Sequence, residues 1–536
     1  MNTKEKNIFT EISNIKDWDE NSLQKILRKY KKKDGRLYRN DELVKAYKNL
    51  KIDNRLIAER IRLKPTRTNS GVATVTILTK PFPCPGRCIF CPNDPSMPKS
   101  YISCEPGAQR ALVSHFDPYA QVYNRLIALK NIGHNIQKVE LLVLGGSWSA
   151  YNYKSYQIPF ITECFRALND VTENIIEYVQ PKDFIPDHSI EDLEEEQIKN
   201  EHAYCRNVGL VFETRPDLIT EEEIINMRTL GATKVQIGIQ TLNDEIIEAN
   251  SIGRKTKVVK KAIKLLRLAG FKIHGHWMPN LYKSNVQKDI DDYKKLWQKD
   301  ISPDELKIYP TSIIENTHLY NLYKSKKYLP YTEEELLTVL SNTIPYTPRY
   351  CRLSRIIRDI PSGEIVAGNK KTNLRQIAEE KIKKEGIILK DIRSREIKNE
   401  NISWDNLQLE IIKYRTSTGK EYFISYKTKD TDKICGFLRL SIPNIFNRQF
   451  NYIRELRNSS IIREVHVYGK ALNIDEKDTH RTQHLGIGKK LLEIAEDITR
   501  KNYIKKISVI SAIGTREYYK KNGFQKDSLY MHKLLP

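Results

Sequence analysis

Cysteine is scarce: eight in 536 residues are too few for a disulfide scaffold. No run approaches the ~18 apolar residues needed to cross a bilayer. The opening Met1-Asn-Thr-Lys-Glu-Lys6 has no apolar signal core, so a cytoplasmic protein without a membrane partner is expected. Negative charge is also short. Against 90 Lys and Arg stand 67 Asp and Glu, a formal net charge of +23. An excess of that size points to a polyanionic partner, most commonly nucleic acid. A genome biased toward lysine codons would account for the lysines but less well for the arginine clusters.

At about 150 residues per unit, the length accommodates three or four folding units. Residues 1–67 carry 19 Lys and Arg against 10 Asp and Glu, and Arg28–Lys33, Arg36 and Arg39 are interleaved with Tyr30 and Tyr38. Such charge contacts phosphates and such rings stack on bases, so the segment is read as a basic nucleic-acid-binding region, with a solvated helix face as the alternative. Across 68–345, β-branched runs at Val72–Leu78, Val139–Leu144, Val208–Phe212, Val235–Ile239, Phe271–His276 and Glu305–Tyr309 alternate with helical patterns such as Ala108–Lys130 and Val258–Leu268. That alternation predicts an α/β fold, a partial (β/α)6 barrel with its chemistry at the C-terminal ends of the strands. Residues 346–404 read as a basic helical connector containing Arg355, Arg358, Arg375, Arg393 and Arg395. Residues 405–536 read as a compact α+β unit, with strands near Glu421–Tyr426, Ile434–Ile442, Ser460–Val467 and Lys506–Ser511 and a helix from His484 to about Arg500.

Three of the cysteines fall together in Cys84-Pro-Gly-Arg-Cys88-Ile-Phe-Cys91, directly after the first barrel strand. Three thiolates on one loop can hold three irons of a 4Fe–4S cluster, with Gly86 and the neighbouring prolines bending the chain. The fourth iron is left open, as S-adenosylmethionine requires in order to chelate. A zinc site is the rival reading and would need a fourth ligand such as Cys104. The C-x3-C-x2-C pattern resembles the radical SAM superfamily. By that resemblance Gly145-Gly146, ending the second strand, contacts the amino group of S-adenosylmethionine. Glu213 and Gln240, ending the third and fourth strands, are expected as further cofactor contacts at the rim. Cys164, Cys205, Cys351 and Cys435 have no partner spacing and read as small core residues.

In the last unit, Gln483-His-Leu-Gly486-Ile487-Gly488-Lys489 stands between a strand and a helix. A glycine-rich turn there offers backbone N–H groups and the positive helix end to a pyrophosphate. It matches the Q-x-x-G-x-G pattern of GCN5-related N-acetyltransferases. In that fold the preceding strand, here Glu464-Val465-His466-Val467, splays open to bond the pantetheine arm of acetyl-CoA. Tyr519 is then placed to give a proton to the departing thiolate, against the plainer reading of a core tyrosine beside Phe524.

Both halves in one chain resemble the catalytic subunit family of Elongator, the tRNA uridine carboxymethyl synthases, in stand-alone form. Matching stretches run from about residue 62 to the end and include Lys64-Pro-Thr-Arg-Thr, Phe212-Glu-Thr-Arg-Pro-Asp217, Arg358-Asp-Ile-Pro361, Ile392-Arg-Ser-Arg-Glu396 and Arg463-Glu-Val-His-Val-Tyr-Gly469. The resemblance implies that a deoxyadenosyl radical takes hydrogen from the acetyl methyl of acetyl-CoA. The resulting acetyl radical, centred on the methyl carbon, adds to carbon 5 of the wobble uridine, position 34, and thioester hydrolysis leaves 5-carboxymethyluridine. It implies the anticodon stem-loop as partner, and a catalytic, acetyl-CoA-contacting role for Lys138, which from sequence alone is a solvated lysine before a strand. Departures are the short spacing before the second cysteine, Leu389-Lys390 where a zinc-ligating cysteine stands in animal and fungal members, and Asn280 in place of an aspartate. A protein lysine acetyltransferase with the barrel as scaffold is the competing reading; a homodimer and accessory subunits are left open.

Overall fold

The protein's structure, a computed structural model, describes residues 3–19, 21–32, 34–50, 52, 54–63, 71–397, 402–469 and 486–536. The expected contacts of Gln483 and of the Lys64-Pro-Thr-Arg-Thr stretch lie outside the described residues.

Seven parallel strands form the first sheet, in the order β1 (Ala73–Leu78), β2 (Lys138–Leu144), β3 (Arg206–Thr214), β4 (Lys234–Gln240), β5 (Lys272–Trp277), β6 (Glu305–Ile308) and β8 (Arg352–Arg355). Between the last two in sequence comes β7 (Ile313–Ile314), which pairs with β9 (Ile365–Ala367), beyond β8, as a small separate sheet. In β2, Val139, Leu141 and Val143 are buried on the helix-covered face, while Glu140, Leu142 and Leu144 face the barrel interior. That is the period of two of an extended strand. β1 and β8 do not pair, so the barrel is open on that side.

The sequence reading counted six strands. The seventh, β8, comes from the segment read as connector; its four residues, Arg-Leu-Ser-Arg, carry too little apolar signal to stand out. The helix expected over Ala108–Lys130 is broken into Pro106–Val113 and Pro118–Asn131. Pro118 cannot continue the first helix, and Asp117 caps the second, accepting from Tyr119 N at 2.9 Å and Ala120 N at 3.3 Å.

The C-terminal domain is a mixed seven-stranded sheet ordered β10 (Leu407–Arg415), β11 (Gly419–Thr428), β12 (Ile434–Pro443), β13 (Ser460–Val467), β14 (Lys506–Val509), β16 (Met531–Leu534) and β15 (Gln525–Lys526). Only β13 and β14 run parallel. The helix Ile487–Lys501 packs its apolar stripe of Ile487, Leu491, Leu492 and Ala495 on this sheet.

This domain seats against the N-terminal ends of the barrel strands. Asp304, just before β6, takes Arg463 of β13 at 2.5 Å, and Arg463 also pairs with Glu421 at 3.0 Å. Burial favours the neutral acid at Asp304, but Arg463 and Arg439 outweigh it and hold the carboxyl well below its usual range. Lys272, the first residue of β5, bonds both Glu305 of its own barrel and Glu464 of β13.

The basic N-terminal segment is a folded unit: helices Thr3–Asn14, Ser22–Lys29, Asn40–Asn49 and Arg55–Ile61 enclose a core of Ile8, Phe9, Ile12, Leu27, Leu43 and Ile61. Part of its charge is matched internally, Lys29 by Glu11 and Lys32 by Glu42. Cys164, Cys205, Cys351 and Cys435 are buried in the main core.

Candidate active site

The loop after β1 brings Cys84, Cys88 and Cys91 to the C-terminal rim of the barrel, where all three line one large cavity. Gly86 leaves room for Arg215, whose guanidinium lies against the loop where a Cβ would come within 2.1 Å of Nη1. Cys84 Sγ stands 3.8 Å from Ser147 Oγ. Burial pushes the Cys91 thiol up to about 12 and raises Cys88 as well, where Arg215 opposes it. Among the described residues, the groups whose ligand atoms all lie within 4.8 Å of one another are Glu201, His202, Glu517 and Glu455, Asp527, His532. The three sulfurs are therefore spread wider than one tetrahedral ion at Zn–S distances of about 2.3 Å would need. Cys104 packs apart from them beside Ile102 and Ile314.

Gly145 and Gly146 follow β2 on the same rim. Gly145 has φ +122°, and a Cβ there would lie 2.4 Å from Thr79 Oγ1. Thr79 Oγ1 accepts from Gly146 N at 3.2 Å and from Tyr151 Oη at 2.8 Å, so the turn is braced from below. Glu213, in β3, accepts from Tyr101 Oη at 2.9 Å and stands 3.6 Å from His276 Nδ1. Gln240 ends β4 in a left-handed conformation, φ +51°, with its side-chain oxygen held by Arg254. Arg254 Nη1 is buried without a partner among the described residues. Three thiols on one loop, two glycines admitting close approach, and an orphaned buried donor form a cradle that fits an iron–sulfur cluster and a polar ligand beside it.

Asn280 adopts φ +66°, and its backbone is taken up by Asp289, which receives Asn280 N at 2.6 Å, and by Tyr328 Oη at 2.7 Å. Its place in the sequence thus reflects a left-handed turn, which asparagine tolerates.

At the other end, β13 pairs with β14 only over Ser460–Ile462, while on its other side it pairs with β12 as far as Val467. From Glu464 to Val467 the backbone edge facing β14 is thus outside the ladder. Gly486 turns into the helix Ile487–Lys501 with φ +70°, and a Cβ on Gly488 would lie 2.6 Å from Tyr518 Oη and 3.8 Å from Val467. Ile487 is fully buried, with Gly436 against it, so only its backbone is offered to a ligand. Lys489 follows in the first turn of that helix. Tyr519 does both things foreseen for it: its ring packs on Phe524 at 5.7 Å and it lines the cavity. Its hydroxyl makes no hydrogen bond among the described residues, and burial raises its pKa. Glu464 carries a carboxylate fixed by Lys272 and by Arg439 at 2.7 Å. Burial favours its neutral form; Lys272 and Arg439 outweigh that, and its pKa is lowered.

One continuous cavity of about 1580 Å³ joins the two ends, lined by Cys84, Cys88 and Cys91 at one extreme and by Glu464, Val465, His466 and Tyr519 at the other. Between them lie the barrel interior, with Gln236, His274, His276 and Lys307, and a wall made by the connector. That wall holds Arg352, Arg355, Arg358, Arg375 and Arg393, lining residues that sequence reasoning had assigned only to a charged link. Their density in a stretch also rich in apolar residues was the available signal. Lys138 begins β2 at the end where the C-terminal domain abuts; it does not line the cavity, and burial lowers its pKa.

The half-barrel, its cysteine loop and the appended mixed-sheet domain define a radical SAM protein fused to an acetyltransferase-type fold. The family model described as the radical SAM superfamily matches residues 83–292, and that of the radical SAM C-terminal domain matches 303–384. The tRNA uridine(34) acetyltransferase of Methanocaldococcus jannaschii is 38% identical over 500 residues, 90% of this chain and 88% of that protein. Elongator complex protein 3 of Saccharomyces cerevisiae is 32% identical over 493 residues, 88% and 85% of the two chains. The solved structure of archaeal Methanocaldococcus infernus Elp3 with residues 1–46 deleted superposes with a TM-score of 0.71 at 33% identity, covering 87% of this chain and 99% of that one. The chain belongs to the family of tRNA uridine(34) acetyltransferases and Elongator complex protein 3. Membership of the radical SAM superfamily implies S-adenosylmethionine and a 4Fe–4S cluster.

Proposed function

We propose that this protein converts uridine 34 of tRNA into 5-carboxymethyluridine, with acetyl-CoA as carbon donor. The observation that carries the reading is the single cavity shared by the cysteine loop and the splayed strand with Tyr519. A scaffold barrel would have no use for such a connection, whereas a reaction at the acetyl methyl needs it. Relatives named for tRNA uridine(34) and a net charge of +23 support the substrate.

Cys84, Cys88 and Cys91 would hold the cluster, and Gly145, Gly146, Glu213 and Gln240 the S-adenosylmethionine. When bound, these groups would supply a radical able to take a hydrogen atom from the acetyl methyl and an acceptor for the one electron released once the carbon–carbon bond to uracil C5 forms. The C5 hydrogen then leaves as a proton, and water cleaves the thioester to release CoA. In this chain the backbone of Glu464–Val467 would bond the pantetheine arm, the Gly486–Lys489 turn the pyrophosphate, and the free Tyr519 hydroxyl would protonate the departing thiolate. Lys138 would contact the bound CoA from the start of β2.

Lysine acetylation is disfavoured by the same geometry: Glu464, a carboxylate whose charge is felt at Tyr519, is tied to two cations and is not free to act as a base. The test is incubation of reconstituted protein with tRNA, S-adenosylmethionine and acetyl-CoA, followed by nucleoside analysis beside a Cys88→Ala control. Carboxymethyluridine formed only with the cysteine intact is expected; iron-independent acetylation of protein lysines would overturn the reading.

A further inference from the structure

Three guanidiniums converge on the connector wall with only two carboxylates to match them. Arg352 pairs with Glu396 at 2.5 Å and Arg375 with Glu379 at 2.6 Å. The third, Arg393, donates through Nη1 to the carbonyl of Ser354 and makes no ion pair among the described residues. Burial first, and then the charges of Arg375 and Arg352, lower its pKa to about 10. It is thus a cation crowded by cations. Elsewhere on the wall the account balances, Arg355 against Asp359 and Arg358 against Glu105. Arg352, Ser354, Arg375 and Arg393 all line the shared cavity, and Ser354 belongs to β8, the last strand of the half-barrel.

A guanidinium at an open cavity edge, positioned by a backbone carbonyl and ion-paired to no carboxylate among the described residues, is suited to a phosphate group. From this arrangement we infer that Arg393, flanked by Arg352 and Arg375, binds a backbone phosphate of the RNA substrate at the lateral mouth of the half-barrel. It acts as a positioning residue, fixing the ribose-phosphate chain so that the attached base reaches inward past β8. The inference rests on tRNA being the substrate. A phosphate of CoA would offer the same chemistry, but its expected place is the Gly486–Gly488 turn on the other domain.

The experiment compares wild type, Arg393→Gln and Arg393→Lys for binding of an anticodon stem-loop across a salt series, and for acetyl-CoA binding. Loss of one phosphate contact should weaken RNA binding about tenfold and reduce the slope of log affinity against log salt by about 0.7 in R393Q. R393K should keep the slope, and acetyl-CoA affinity should be unchanged in both. Should R393Q not fold, wild-type protein is titrated with stem-loops carrying one neutral methylphosphonate each; one linkage should reproduce the slope loss. An unchanged slope in R393Q, or no sensitive linkage, overturns the inference. So does a fall confined to acetyl-CoA affinity, which would place a CoA phosphate at Arg393. If wild type itself shows no salt-dependent RNA binding, the tRNA reading fails instead.

Discussion

Arg463 of β13 grips Asp304, one residue before β6, with a two-pronged contact of 2.5 and 2.8 Å, and both side chains are fully buried. One partner belongs to each domain, so the pair is a joint between the radical and acetyl halves. Glu464, the next residue along, reaches Lys272 of β5 and borders the cavity beside Tyr519. The joint therefore sets the height at which the acyl site stands below the barrel.

Removing one side of such a pair strands a buried charge. Arg463→Met should destabilise the protein by about 3–5 kcal/mol, read from denaturant unfolding. Because Glu421 loses its cation and Asp304 keeps only the more distant Arg439, the loss should exceed that from Lys29→Met at the exposed Lys29–Glu11 pair.

The same joint predicts a pH dependence. Asp304 and Glu464 are held below their ordinary values in the folded state. Their contribution is fully present above the unfolded carboxylate values of 3.8 and 4.5 and is lost as pH falls through the lower folded ones. Thermal stability should drop as pH is lowered from 5 toward 3. In Asp304→Asn, less stable at neutral pH, that drop should be shallower.

Tyr519→Phe keeps the ring on Phe524 and removes only an unpartnered hydroxyl. Turnover should fall about a hundredfold, the range of a lost general acid, with the melting temperature and acetyl-CoA affinity unchanged. A loss of affinity without a loss of turnover would assign the hydroxyl to binding instead.

Gly145→Ala places a Cβ against Thr79 Oγ1 at a φ of +122°. Strain of about 1–3 kcal/mol must be relieved by moving the loop, so S-adenosylmethionine binding should weaken at least tenfold in equilibrium dialysis. Iron content should stay at the wild-type level, since the cysteines lie on a different loop.

Much of this arrangement was legible in the sequence because it is local. The cysteine loop, the Gly145-Gly146 turn and the glycine-rich helix start each declare themselves within ten residues, and the strand–helix alternation declares the sheet. What escaped is set by distant partners. β8 is four residues that become a strand only because β6 offers an edge. Lys272 and Glu305, or Arg375 and Arg393, carry no mark in sequence that they will face the cavity. Lys138 was singled out by resemblance, and its side chain does not line the cavity that joins the two sites.

The most direct test of the shared-cavity account follows the hydrogen atom itself. Reconstituted protein is given tRNA, S-adenosylmethionine and methyl-deuterated acetyl-CoA under anaerobic conditions, and deoxyadenosine and nucleosides are weighed by mass spectrometry. The account predicts deuterium in deoxyadenosine and carboxymethyluridine retaining two deuterons, both lost in Cys88→Ala. Unlabelled deoxyadenosine accompanied by modified uridine would contradict it, because the acetyl methyl would then not be the group that meets the radical.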